Sequence, residues 1–469
     1  MDELLRLCGY ETAEMERELP RVKEAFTRLG ITEEDISEGK ERVRTYFDVG
    51  LAGVRQLLGM FTRELVNMVL ARDEGRTKIV HACMAGGFEA ICSAFVTFSK
   101  DVFVEVPNPP SMVVLGSIFG RFTPVLEAAE ELWLKSGLVA HCAMVKSRVG
   151  ILSLGLIPKP DVLVTSGLVC ETSPKTNEIM QELYGIPAVC YDTCQDREIS
   201  EYPDSSRSIA LEAASMRAAA EQLGGYVGFR VEDHMILEVL QARAELASAI
   251  EKVHRLVRES DPVPLGSTHD NLLMWLSPVA MSMEGIRRAT NAVNTLRDEL
   301  HERVRRGVGA TKKGAPKLLS IQPSHHSDPR LEHLINELGM VVIGGDFELA
   351  APSLQGVPKT NDPYVAASQL VRGSMAQPLA PRVKLIIEAC RKWHIDGVLD
   401  HFHVGCRGLA ADALLIQEAV TKELGIPVLA LEWENFDPRV FNHGQFKTRL
   451  ETFRAMIEAK PGRGMTSID

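Results

Sequence analysis

The sequence has no long apolar run, no long basic run and too few cysteines for a disulfide scaffold. Each shortage removes a class of protein. One of the longest largely apolar stretches, Val149 to Pro158, is interrupted at Lys159, well short of the roughly 18 residues a membrane span needs. No membrane partner is expected. With 52 Lys plus Arg against 63 Asp plus Glu, the formal charge is −11, and no basic stripe tracks a phosphate backbone. No nucleic acid partner is expected either. Nine cysteines are sparse and odd in number for 469 residues, so thiols are expected rather than bridges. The start, MDELLRLCGY, is acidic where a secretory signal is basic, which predicts a cytoplasmic protein. Gly309 to Gly314 has Walker-like glycine spacing, but Ala315 stands where the lysine must be. No G-x-G-x-x-G opens a helix after the early strands and no G-x-S-x-G elbow occurs.

What is present is an ordinary globular balance, 45% hydrophobic and 25% charged, which excludes wholesale disorder. At roughly 150 residues per domain, the length suggests about three units. Residues 1–75 form a helical N-terminal extension, with apolar residues at helical spacing: Val22, Phe26, Leu29, then Leu51, Val54, Leu57, Leu58 and Phe61. Over 76–230 the short apolar runs TKIVHA, VFVEVP, VLVTSG and PAVCYD alternate with amphipathic stretches, which predicts a parallel sheet flanked by helices. Residues 231–311 return to almost pure helix, a helical insert. A second alternating set, KLLSIQP, MVVIGGD, DGVLDHF and PVLALEW, occupies 312–469. The fold class is therefore α/β, two Rossmann- or flavodoxin-like parallel-sheet domains with the extension and the insert.

Ligands of open parallel sheets bind at the carboxyl ends of the strands, so polar and thiol residues just after the strands are the candidates. Cys170 follows VLVTSG and precedes a helix whose start is signalled by Ser173 as N-cap and Pro174 at the first position. Cys406 follows GVLDHF, flanked by Gly405 and Gly408 and followed by an amphipathic helix. Cys142 opens a short helix, near backbone N–H groups that favour a thiolate or an anionic cluster. Cysteine also packs commonly as a small hydrophobe, and that reading fits Cys8, Cys92, Cys190 and Cys390, while Cys83 and Cys194 end strands. The gaps between 142, 170 and 406 match no short-range ferredoxin or zinc motif. His401, His403 and Cys406, in the order H-x-H-x-x-C, would hold zinc if His325 or His326 joined them. Asp437 and Arg439 would pair with one another or face a partner subunit.

Four blocks carry a resemblance: HCAMVKSRVG, PDVLVTSGLVCETSPKTNEIMQELYGIPAVCYD, IDGVLDHFHVGCRG and GIPVLALEWENFDPRVFNHGQFKTRLETF. In this order they resemble subunits of the benzoyl-CoA reductase and 2-hydroxyacyl-CoA dehydratase family, over approximately Thr77 to Ala459. The resemblance implies that Cys142, Cys170 and Cys406 ligate one four-iron four-sulfur cluster. It also implies an acyl-CoA thioester substrate, a homologous second subunit and an ATP-hydrolysing iron-sulfur activator that injects a low-potential electron to form a ketyl radical. Three thiolates on four irons leave one corner open to a substrate oxygen. Glu89, His401 and His403 are the candidates for proton transfer and Arg407 for orienting a carbonyl or phosphate oxygen. Two features depart from the family pattern: Glu171 follows the second cysteine in place of Asp, and no proline precedes Glu89 in HACMAGGFEAICSAF. Water elimination from a 2-hydroxyacyl-CoA is the leading expectation. Benzoyl-CoA reduction, an electron-relay role and a zinc scaffold are the alternatives.

Overall fold

A computed structural model describes residues 1–83, 86–136, 141–167, 170–192, 206–321, 327–349, 360–370, 379–406 and 410–459. Eight strands among these residues form two all-parallel sheets. The first takes the order β2-β1-β3-β4 from β1 (Lys78–Cys83), β2 (Val102–Glu105), β3 (Val162–Ser166) and β4 (Ala188–Tyr191). The second repeats that order as β6-β5-β7-β8, from β5 (Lys317–Ile321), β6 (Val341–Gly345), β7 (Gly397–Asp400) and β8 (Val428–Ala430). Every apolar run expected to be a strand is one. β2 and β3 are buried along their whole length, because helices cover both faces of a parallel sheet and leave no polar side. In both sheets the strand order reverses at the central pair, β1 with β3 and β5 with β7. Ligands of such sheets bind beyond the carboxyl ends of those strands.

The N-terminal helices Thr12–Arg28, Glu33–Tyr46 and Ala52–Leu70 bury the expected apolar positions, Val22, Phe26, Leu57, Leu58 and Phe61 among them. The second starts at a capping box in which the Thr32 hydroxyl accepts from the Asp35 N–H and the Asp35 carboxylate accepts from the Thr32 N–H. The third starts on a carboxylate: the N–H groups of Ala52 and Gly53 donate to Glu299 at 2.8 and 2.9 Å, satisfying two donors that a helix start leaves open. Glu299 lies in helix Met283–Arg305, which packs against helix Asp233–Glu259. The extension is thus docked on the helical stretch between the sheets. No helix of the described residues is long and apolar enough to cross a membrane.

Two expectations are corrected. The helix after Cys170 begins at Thr172 with Glu171 as N-cap, and Pro174 is its third residue. Ser173 does not cap because its fully buried hydroxyl is engaged elsewhere, 2.8 Å from Thr165 Oγ1 and donating to the Cys83 carbonyl at 3.4 Å. Cys8, Cys92 and Cys390 are buried as expected, but Cys190 is exposed on β4.

Candidate metal centre

Near the cysteines the two halves touch through small residues and an ion-pair network. Gly116, in a π-helical turn over Met112–Ile118, lies against Ser327, where a side chain at 116 would collide with backbone. Ser327 Oγ in turn donates to the Phe436 carbonyl at 2.7 Å. Arg439 pairs with Asp437 at 2.6 Å, one of the two arrangements expected from sequence, and also with Glu130 of the first half at 2.7 Å. Gly405 is packed onto Cys142: a Cβ at 405 would stand 2.9 Å from the Cys142 Cβ and 3.2 Å from His403 Cε1. Real Cβ atoms do not approach that closely without displacing something, so only glycine lets the Cys406 loop lie on Cys142.

Cys142 is buried and is the N-cap of helix Ala143–Ser153. Burial pushes its thiol well above the ordinary range, with further upward contributions from Glu434, Cys170 and Cys406, while the Val145 N–H opposes them. The charges of both other cysteines therefore reach this sulfur. Cys170 is half-buried, its sulfur 3.2 Å from Thr172 Oγ1. Burial raises its thiol too, opposed by Thr172 Oγ1 and by the N–H groups of Thr172 and Ser173, with Cys83 adding to the rise. Helix-start N–H groups thus oppose the rise at both sulfurs, the direction in which such groups act on a thiolate. The Cys406 N–H donates to the His403 carbonyl at 3.0 Å and the Cys406 carbonyl accepts from the Ala410 N–H at 2.9 Å. A tight turn therefore sets this residue beyond the end of β7.

The helices that carry Cys142 and Cys170 are tied together from behind. Arg148, fully buried, donates from Nε to His81 Nε2 at 3.2 Å and from Nη2 to Asn177 Oδ1 at 2.5 Å. His141 Nδ1 lies 3.1 Å from Thr176 Oγ1. Asn108 links the same layer to β1: its amide donates to the Met144 carbonyl and to Ser147 Oγ, and Cys83 Sγ lies 3.5 Å from its Oδ1.

The candidate proton carriers separate. His403, buried, has its Nε2 3.3 Å from Glu434 Oε1, and its Nδ1 accepts from the Asn435 N–H at 3.4 Å. Its ring meets Phe436 edge-on at 5.2 Å. His401 instead stacks on Trp433, 5.7 Å between centroids, and Trp433 leans on Phe446 in the core under the second sheet. The two histidines, two residues apart, therefore serve different neighbours. Glu89 begins helix Glu89–Phe98, and burial raises its carboxyl against the pull of Arg243. Its charge also acts on the Tyr191 phenol, so its surroundings are Arg243 and Tyr191. Arg407, His325, His326 and Cys194 lie outside the described residues.

Glu434 is a site residue that the sequence reading passes over. It accepts from the Ala143 N–H at 3.3 Å, beside Cys142, and burial, then Asp437, pushes its carboxyl up to about 8. A signal exists, since Glu434 follows β8 as Cys170 follows β3, and the carboxyl-end rule covers both.

Fold and site together define a two-sheet α/β protein with a thiol-lined seam between its halves. The chain belongs to the family described as 2-hydroxyglutaryl-CoA dehydratase, D-component, whose model matches residues 109–457. It is 24% identical over 338 residues to a benzoyl-CoA reductase subunit of Thauera aromatica, covering 68% of this chain and 77% of that one. It is 22% identical over 362 residues to the (R)-phenyllactyl-CoA dehydratase alpha subunit of Clostridium sporogenes, covering 76% and 86%. To the (R)-2-hydroxyglutaryl-CoA dehydratase alpha subunit of Acidaminococcus fermentans it is 23% identical over 308 residues, covering 65% and 61%.

Proposed function

We propose that this chain is the iron-sulfur subunit of a cytoplasmic enzyme that eliminates water from a 2-hydroxyacyl-CoA thioester. It works with a homologous second subunit and with an ATP-hydrolysing iron-sulfur activator as electron donor. The observation that carries this reading is the packing of the Cys406 loop onto Cys142 through Gly405, with Cys170 close enough for its charge to act on the same sulfur. The donor set fits a four-iron four-sulfur cluster. Three thiols come from separate elements, one buried and two half-buried, and the helix-start N–H groups beside two of them suit an anionic group. Cys142, Cys170 and Cys406 would hold it, and when bound it supplies low-potential one-electron chemistry, which polar groups lack.

The chain's own groups then manage protons and water. Burial keeps a proton on the Glu434 carboxyl at neutral pH, and the His403 imidazole 3.3 Å away is its next station. Phe436 covers His403 with apolar surface, which limits exchange of the proton with bulk water. In this reading Arg407 orients a thioester or phosphate oxygen, while Glu89 and His401 serve proton transfer further from Cys142.

The test is anaerobic purification with the second subunit, then assay with activator, ATP and a reductant. Expected are a brown protein with about four iron and matching acid-labile sulfide per chain and conversion of a 2-hydroxyacyl-CoA to the enoyl-CoA. A second reading, reduction of an aromatic acyl-CoA, is favoured by the 24% identity to the Thauera aromatica protein and is identified by a cyclic dienoyl product from benzoyl-CoA. Iron-replete protein that converts neither assigns the chain to electron relay. Colourless protein with stoichiometric zinc removes the iron-sulfur reading.

A further inference from the structure

Away from the cysteine seam, three chain segments bring titratable groups into a second buried cluster. His254 comes from helix Asp233–Glu259, Asp270 opens helix Asp270–Val279, and Glu348 lies in the turn after β6. One potential ligand atom from each lies within 4.8 Å of the others. His254 Nδ1 is 3.4 Å from Glu348 and its Nε2 is 3.8 Å from Asp270 Oδ1. Neither approach is a hydrogen bond, and both ring nitrogens lack a hydrogen-bond partner although the residue is only 5% exposed. A neutral imidazole has one donor and one acceptor, and leaving both unmade in the interior is unfavourable. Glu348 bonds Arg258 through one oxygen and shares a hydrogen bond with the Asp270 carboxyl.

The charge of the surroundings points the same way. Glu251 pairs with Arg258 at 3.3 Å, and the field of Glu332 reaches Asp270. Four carboxyl groups, Glu251, Asp270, Glu332 and Glu348, therefore share this neighbourhood with the guanidinium of Arg258, which is stacked on Trp393. Nearby Lys317 directs its ammonium to the Arg258 carbonyl at 3.0 Å. The carboxylates left over after Arg258 are neutralised either by protons or by a second cation.

We propose that His254, Asp270 and Glu348 form a site for one divalent first-row transition ion, separate from the cysteine seam and independent of the iron-sulfur reading. One imidazole and two carboxylates suit zinc, manganese, iron(II) or cobalt, whereas calcium and magnesium take all-oxygen sets. Donors about 2.0–2.2 Å from such an ion stand roughly 3–4 Å apart, so side-chain shifts of about an ångström close the set. The ion pins the segment after β6 to the helical stretch between the sheets, and its protein ligands number three, which leaves positions for water.

The test uses the full-length chain, cleared of metal with a chelator and titrated with cobalt(II). Cobalt bound by nitrogen and oxygen shows only weak d–d absorption, whereas cobalt on thiolates adds intense sulfur charge-transfer bands. The background is the C142S/C170S/C406S triple variant. One equivalent of cobalt is expected there without sulfur bands, and zinc is expected to displace it. Asp270→Asn keeps the size of the side chain and should weaken cobalt binding at least about tenfold. His254→Gln should do the same, with circular dichroism checking the fold of both. Unchanged cobalt affinity in a folded D270N protein, or no cobalt bound in the triple-cysteine background, overturns the proposal.

Discussion

In the first half, β3 ends in Thr165 and Ser166, the Thr165 hydroxyl donates to the Cys83 carbonyl at the end of β1, and Cys170 follows. In the second half the counterpart β7 ends in Asp400, and His401, His403 and Cys406 follow. The strand order is the same in both, yet the first half delivers two thiols on helix starts whereas the second delivers one thiol together with Glu434 and His403. One topology thus offers the same edge twice, and the residues after each strand decide its use. In the reading proposed above, the first half supplies two of the three thiols and the second supplies the third together with the proton pair beside Cys142.

The largest effect should come from the thiols. Cys142→Ser, Cys170→Ser and Cys406→Ser should each abolish turnover and release most of the iron, measured by iron and sulfide content under anaerobic conditions. Gly405→Ala should imitate Cys406→Ser without touching a ligand, because its methyl enters the space of Cys142. If Cys406→Ser keeps its iron while the other two lose it, the centre belongs to the first half alone.

Next in size is the proton pair. Glu434→Gln keeps the shape of the side chain and the acceptor for the Ala143 N–H, so iron should be retained while the rate falls about 10²–10⁴-fold. Glu89→Gln, in the Arg243 and Tyr191 neighbourhood, should cost less. Equal losses would mean that Glu89 matters as much as the pair beside Cys142, and the division of labour would fail.

The strands were legible in the sequence because fully buried parallel strands read as short continuous apolar runs, as in VLVTS and GVLD. Cys170 and Cys406 are legible as candidates because a rule about strand ends applies to them directly, and Cys142 because it opens a helix. Contacts that join residues distant in the chain were not. Nothing local ties Gly405 to Cys142, Arg439 to Glu130 or Arg148 to Asn177. The start of the helix after Cys170 was misplaced for the same reason: Ser173 has capping chemistry, but a tertiary bond to Thr165 claims its hydroxyl. His401 and His403 share a strand face in pattern, and only the position of Trp433 and Glu434 sends them to different partners.

A smaller effect separates the strand ends themselves. Burial pushes the Asp400 carboxyl up to about 7, with Asp346 adding to the rise and Gln417 opposing it. Its folded value exceeds its unfolded one, so between about pH 4 and 7 the native state binds the extra proton and stability falls as pH rises. Asp400→Asn removes that slope and should be more stable than the parent at pH 8, by at most a few kcal/mol. Urea midpoints of both proteins at pH 5 and pH 8 check this. Ser166, at the end of β3, carries no such charge, and Ser166→Ala should leave the pH dependence unaltered.

The smallest prediction guards the comparison against a trivial explanation, that any loosening of the second half releases the metal. Asn442 is the N-cap of helix His443–Glu458, and its Oδ1 accepts from the Gln445 N–H at 3.0 Å. Removing such a cap costs about 1 kcal/mol. That helix buries Phe446, Leu450 and Phe453 in the core under the second sheet, so Asn442→Ala weakens the second half without altering a residue of the seam. Its unfolding free energy from urea titration should fall by that amount while iron content and turnover at 25 °C remain those of the parent. Iron loss in Asn442→Ala comparable to that in Gly405→Ala would show that the seam responds to the stability of the second half as a whole, and the contact of Gly405 with Cys142 would lose its special standing.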